Sequence, residues 1–534
     1  MNTRGILKAA SIITILSVSS KLLGIYRLHL MAKFYGRSIE ADAFALAFTI
    51  LEFIRHFIAG GTIVAAIIPV YRALVVSKNE KKLAFTASNL LNIFSLVLIG
   101  AVGCWYIFGA ALFRNLMFFF GEYFEEITQS KATIELTISL GNIMFPAIVF
   151  FGLVSVATAI LNSFQHFVSP AATPVVLNGA IIFCLLGLHP TINIYSMALG
   201  VLLGTVLQVF ILYPPLRKRL SGYQFSLVVH DPQMKEIWLL LKPLLWGVIS
   251  YRFVFLINKL FAMTRGAGDI SALFYSEFLV LSMVDILGIA LATALFPSLS
   301  GYYSEHREAE FTRTTLTFLK ITILLALPAM GILMVLGEPI IALIFQSDQF
   351  GSTDTWFTFS VLFFLAPTVL FQCLNYVMRN VYFASRDMIT PVVTAISTLA
   401  LNLVLMVILI GPLGTRGIAL ATTVAYGVQS ACLMLLFKRA RPDLPVRPLR
   451  LFLIKLGLTT SVALGSSALL FHFCSALVID ALLSVRIGVL ALSLLSFAIS
   501  FTCCGFLLKM TELNSVFSYM KEKFWKATPE NEVA

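Results

Sequence analysis

Six cations sit inside stretches of this chain that are otherwise too apolar for water: Lys21, Arg27, Arg55, Lys242, Arg252 and Lys259. A charge at mid-bilayer depth costs about 2.5–3.5 kcal/mol, so each of these groups must face protein or water rather than lipid. The acids in the same stretches are fewer: Asp42, Glu52, Glu277 and Asp285. A surplus of cations in a low-dielectric setting favours an anion. The planar fork of an arginine suits phosphate in particular. The chemistry expected is therefore binding of a substrate that carries phosphate or carboxylate groups. Lys21, Arg27, Arg55, Arg252 and Lys259 are the expected substrate-binding residues. Asp42, Glu52, His56, Glu277 and Asp285 are expected to form cavity ion pairs or gates.

Helical spacing collects these residues onto faces. At about 100° per residue, Thr14, Ser17, Ser20, Lys21, Gly24 and Arg27 fall within an arc of roughly 140°. Asp42, Thr49, Glu52, Arg55, His56 and Gly60 fall within roughly 160°. Glu52 precedes Arg55 by three residues and His56 by four, so both are within reach along a helix. Two readings of Glu52–Arg55 stay open, a satisfied ion pair between helices and a substrate-facing pair. His56 reads better as a pair member than as a proton relay. Arg252 and Lys259, seven apart, share a face. Lys242 lies near a helix end, where it snorkels to the surface.

The elements that position these groups are membrane helices. The chain has 534 residues, 59% hydrophobic and 12% charged, with a mean hydropathy of +0.93. Apolar runs of about 20 residues recur throughout. They predict an all-α polytopic membrane protein of fourteen spans, near 6–31, 43–71, 85–112, 133–160, 172–189, 192–213, 237–262, 270–297, 314–337, 356–384, 389–410, 415–437, 451–473 and 482–508. The charged residues above fall on the first, second, seventh and eighth.

With both termini in the cytoplasm, 25 Lys and Arg residues lie on the cytoplasmic side and 7 opposite. The net charge of +12 thus reads as topology rather than nucleic-acid binding. "RKR" (217–219) and "KRARPDLPVRPLR" (438–450) read as topology anchors, with a lipid-headgroup site as the alternative. The first stretch is too long for a cleavable signal peptide. The seven cysteines lie in apolar segments without a Cys-x-x-Cys or Cys/His cluster, so no disulfide, metal site or cofactor is expected. Short connections, no P-loop and no paired loop acids argue against an enzyme.

Internal similarity divides the chain. "GTIVAAIIPVY" (61–71) resembles "GIALATALFPSLS" (288–300). "TPVV" occurs at 173–176 and 390–393, and "MALGVLLGTVLQ" (197–208) resembles "IALATTVAYGVQ" (418–429). The common order predicts two like-oriented six-helix bundles, 1–220 and 221–440. Residues 441–534 add the thirteenth and fourteenth spans and a tail. Parallel repeats of this kind are a transporter architecture with the substrate site between the halves.

Several motifs resemble the MurJ/MviN lipid II flippases of the multidrug/oligosaccharidyl-lipid/polysaccharide exporter superfamily. They are "SSKLLGIYR" (19–27), "ADAFALAF" (41–48), "ILNSFQHFVSPAATPVVLN" (160–178), "LGIALATALFPSLS" (287–300), "LIFQSDQFGSTD" (343–354) and "SRDMITPVV" (385–393). The resemblance implies fourteen spans and translocation of lipid II by alternating access, from the inner to the outer leaflet of the bacterial cytoplasmic membrane. A cationic cavity would take the diphosphate headgroup. Lipid II and membrane lipids are the implied partners, and cell-wall synthesis enzymes are further candidates. By motif position Lys21 replaces a family arginine, while Arg27, Asp42 and Arg55 match. Leu28 stands where the family has an acid, His56 in the second place of an arginine pair, and Glu277-Phe278 where many members have Asp-Arg. Another polyprenyl-diphosphate-linked glycan is the alternative cargo. A drug/cation antiporter of the same superfamily fits the positive balance less well.

Overall fold

A computed structural model describes residues 3–58, 62–77, 79–115, 127–220, 222–441, 446–474, 483–510 and 512–513. Among them there are helices and connections and no strand. Among the described residues ten helices are long and apolar enough to cross a membrane, and the pair Lys131–Met144 and Ala147–Ser163, bent by 45°, makes an eleventh if it is one span. The bend falls at Phe145-Pro146, where proline removes a backbone donor. These eleven coincide with eleven of the fourteen expected spans.

The other three are the charge-bearing first, second and seventh. α1 (Thr3–Tyr35) covers the first. The second spreads over α2 (Ile39–Ile58) and α3 (Thr62–Val76), with 59–61 outside the described residues. The seventh is α9 (Pro232–Ala262), of which Phe253–Ala262 forms a short apolar stretch. Charged and polar residues lower the hydropathy of α1 and α2, and in α9 the side chains of 242–252 lie outside the described residues. Between them lie α4 (Glu80–Cys104), α5 (Ile127–Met144), α6 (Ala147–Ser163), α7 (Val168–Ile192) and α8 (Tyr195–Arg217). α10 (Asp269–Val284) follows and continues through a π-turn, Asp285–Ile289.

The chain forms two compact units. One comprises residues 1–275, 345–354 and 402–418. In it α1 packs on α7, and α9 packs on α2 and α3. Asp231 starts α9 by accepting from the Gln233 backbone N–H at 3.1 Å, with Pro232 in the first turn. The other unit comprises 276–344, 355–401 and 419–534. Its core gathers Leu295, Leu299, Phe311, Val377, Phe437 and Leu456, all nearly or fully buried.

Candidate substrate site

The first unit holds all the expected cations. On α1, Lys21 is half-buried and Gly24 is buried. Arg27 is 6% exposed, and its guanidinium carbon lies 5.1 Å from the centre of the Phe48 ring. Its Nε makes no hydrogen bond among the described residues. A buried guanidinium N–H without an acceptor is costly, and an anionic oxygen would relieve it. α1 is held in place by Asn178 of α7, whose Nδ2 donates to the Ser20 carbonyl at 3.2 Å.

On α2, Arg55 and Glu52 form a two-pronged pair. Nε donates to Oε1 at 2.7 Å and Nη2 to Oε2 at 2.5 Å. The other side of the guanidinium faces Phe151 at 5.5 Å. Both members stay partly exposed, at 29% and 22%. His56 bonds through Nδ1 to the Glu52 carbonyl at 2.6 Å, its ring 3.7 Å from the Glu52 carboxylate. The pair is satisfied within its own helix rather than between helices, and both members stay partly accessible.

On α9, Lys259 is buried, with Nζ 5.5 Å from the Phe274 ring centre. Beside it the Asn258 Oδ1 accepts from Asn402 Nδ2 at 3.1 Å. The side chains of Lys242 and Arg252 lie outside the described residues. In the second unit, Glu277 is 3% exposed in the middle of α10, and Asp285 opens the π-turn. Among the described residues no group of His, Cys, Asp or Glu could hold a metal ion.

Asp42 does something the sequence did not suggest. Its buried carboxylate accepts from the backbone N–H groups of Gly268 at 2.6 Å and Ser271 at 2.7 Å. It therefore caps α10 from a distant part of the chain. Around it lies a cluster that sequence reasoning missed. Arg37 donates through Nε to the Gly268 carbonyl at 3.0 Å, through Nη2 to Asp269 at 3.2 Å and through Nη1 to Asp354 at 3.3 Å. Thr415 donates to the other Asp269 oxygen at 2.6 Å, and Tyr275 to the Gly36 carbonyl at 3.0 Å. The available signal was a charge beside a glycine at each of two helix ends, Gly36-Arg37 and Gly268-Asp269.

A family model, Lipid II flippase MurJ, matches residues 31–488. The chain belongs to this family. The probable lipid II flippase MurJ of Buchnera aphidicola subsp. Acyrthosiphon pisum (strain APS) is 28% identical over 434 residues, 79% of this chain and 82% of that one. That of Vibrio cholerae serotype O1 is 29% identical over 441 residues, 81% and 82% of the two chains. The solved structure of a lipid II flippase MurJ in an inward closed conformation superposes with a TM-score of 0.74 at 24% identity, covering 93% of this chain and 99% of that one. An inward-facing conformation of a multidrug resistance MATE family transporter of the MOP superfamily gives 0.68 at 14% identity, covering 80% and 98%. The structural likenesses establish an all-helical, multi-pass membrane fold, and membership of the lipid II flippase family makes the chain a transporter, not an enzyme. Against the MurJ pattern, Leu28 is fully buried. An acid there would have been a near neighbour of Arg27; this chain packs an alkyl group instead.

Proposed function

We propose that this chain moves lipid II from the inner to the outer leaflet of the bacterial cytoplasmic membrane, with both termini in the cytoplasm. The cations of α1, α2 and α9 take the diphosphate. Arg27, Arg55 and Lys259 are the principal ligands; Lys21 and Arg252 complete the set. Glu52 and His56 hold Arg55 until the anion competes for it. Glu277 and Asp285 balance charge as the protein changes state. The two six-helix repeats, 1–220 and 221–440, rock against each other to give alternating access, and 441–534 adds the last helix pair. Cell-wall synthesis enzymes that use the product are the expected neighbours in the membrane.

The observation that carries this reading is Arg27: buried, stacked on Phe48, its Nε without an acceptor among the described residues. The test is expression of the chain in cells depleted of their own flippase, with lipid II measured on the outer leaflet. The wild-type chain should restore it, and Arg27→Ala should reduce it at least tenfold at equal expression. Failure of the well-expressed wild-type chain would overturn the function. Full rescue by Arg27→Ala together with Arg55→Ala would overturn the site.

A further inference from the structure

Between α8 and α9 the chain runs without helix along the side of α4, and α4 supplies its backbone partners. Asn89 grips Val228 at both ends. Its Nδ2 donates to the Val228 carbonyl at 2.8 Å, and its Oδ1 accepts the Val228 N–H at 2.8 Å. Asn92 Nδ2 donates to the Ser226 carbonyl at 3.0 Å. Ser88 Oγ accepts the Gln224 N–H at 3.1 Å. The Tyr223 hydroxyl donates to Asn92 Oδ1, and Ser226 Oγ to Asn89 Oδ1. Three side chains of one helix thus do for this strap what a neighbouring strand does in a sheet.

That provision counts for most away from bulk water. In water an extended segment solvates its own amides, whereas in a bilayer each unsatisfied backbone group costs several kcal/mol. α4 belongs to the membrane-spanning helix Lys81–Asn115. Asn89 and Asn92 lie about 12 and 16 Å along it from Lys81, at 1.5 Å per residue. With the Gln224 N–H, the Ser226 carbonyl and both Val228 backbone groups bonded to α4, the strap presents most of its side chains outward. Tyr223, Phe225, Leu227, Val228 and Val229 are 64%, 77%, 43%, 46% and 51% exposed, and Gln224 is exposed among them. At its start stand Arg217, Lys218 and Arg219, all exposed, and Lys81 and Lys82 are exposed at the start of α4. Arg219 is already engaged, donating to the Phe164 carbonyl at 3.3 Å with its guanidinium 5.3 Å from that ring's centre.

We propose that the strap 222–229 is a lipid-interface anchor. Its apolar side chains enter the boundary between headgroups and acyl chains, and Arg217, Lys218 and Lys81 meet the phosphates of anionic lipids. Exposed apolar side chains beside a basic cluster are what such a boundary recognises. The proposal does not depend on what the protein transports.

The test places a nitroxide at Phe225→Cys in full-length protein whose seven native cysteines are replaced, reconstituted in phosphatidylethanolamine vesicles with or without phosphatidylglycerol. Collisions with oxygen should exceed those with a water-soluble nickel chelate at position 225. The order should reverse at the exposed control Lys235→Cys. Phosphatidylglycerol should raise the oxygen preference at 225 at least twofold, and Arg217→Gln with Lys218→Gln should abolish that dependence. Asn92→Leu should loosen the strap and raise nickel access at 225. Dominant nickel collisions at 225 in vesicles would overturn the proposal, making these side chains a water-facing surface for a soluble partner. A signal indifferent to lipid charge would overturn the headgroup contact.

Discussion

Arg37 and Asp269, 232 residues apart in sequence, are joined at 3.2 Å, and the same guanidinium reaches Asp354 at 3.3 Å. The Arg37 and Asp269 side chains are each 13% exposed, so water screens their pairing little. With Thr415 on the second Asp269 oxygen, this cluster ties together four segments that are remote in the chain. In the proposed rocking of repeats 1–220 and 221–440, Arg37 belongs to one and its partners to the other, so the motion would break the cluster. Hydrogen bonds to charged groups are worth about 1.5–3 kcal/mol each. Arg37→Gln should therefore raise the open population about tenfold, equivalent to about 1.4 kcal/mol. The measurement is labelling of a half-buried Ser347→Cys by an impermeant maleimide, whose rate should rise in Arg37→Gln and Asp269→Asn alike. Unchanged labelling would reduce the cluster to local packing.

Two glycines make that cluster possible. Gly36 has φ +55° and Gly268 has φ +90°, both in the left-handed region. A Cβ on Gly36 would stand 1.9 Å from the Gln349 carbonyl oxygen, and one on Gly268 2.7 Å from that of Arg37. Gly36→Ala and Gly268→Ala should each lower the Tm by several degrees, through about 1–2 kcal/mol of backbone strain plus the displaced contact. Gly301→Ala is the control, because its Cβ meets open space in a helix and should be neutral or mildly stabilising.

The Glu52–Arg55 pair predicts a split between binding and turnover. If the carboxylate is the group an incoming diphosphate displaces, Glu52→Gln leaves Arg55 free to hold the anion. Affinity for a polyprenyl diphosphate should then rise several-fold while the transport rate falls. Arg55→Ala should weaken both. A Glu52→Gln variant with unchanged affinity would assign the pair to structure alone.

The helices and the polar faces were legible in the sequence because both are local. Periodicity along one helix brings Lys21 and Arg27 onto one side, and the Glu52–Arg55 pair follows from a spacing of three. Arg37 was not legible in this way. Its partners come from connections 231 to 317 residues away, and no helical period encodes which ends meet. Asp42 was read as a partner for cations because its type and depth suggest one. Its actual partners are backbone amides, which have no side-chain signature. Leu28 shows the converse. A departure from a family motif that reads as a lost charge is, in the fold, a fully buried packing position.

The connection between α6 and α7 yields a pH prediction. His166 bonds through Nε2 to Ser169 Oγ at 3.0 Å. Burial, and then the positive charge of Arg219, hold its pKa below the ordinary 6.5. The unfolded chain therefore binds this proton more readily than the folded one. Between the folded and unfolded values stability rises with pH, and it is lost as pH falls below about 6.5. Ser163 and Phe164 near it receive Arg72 and Arg219 on their carbonyls, so a third cation on the ring has no acid to offset it among these contacts. The detergent-solubilised protein should melt at a lower temperature at pH 5 than at pH 7.5. In His166→Asn, which keeps a hydrogen-bonding side chain without a titrating proton, this difference should shrink. An equal difference in both proteins would assign the acid sensitivity to other groups.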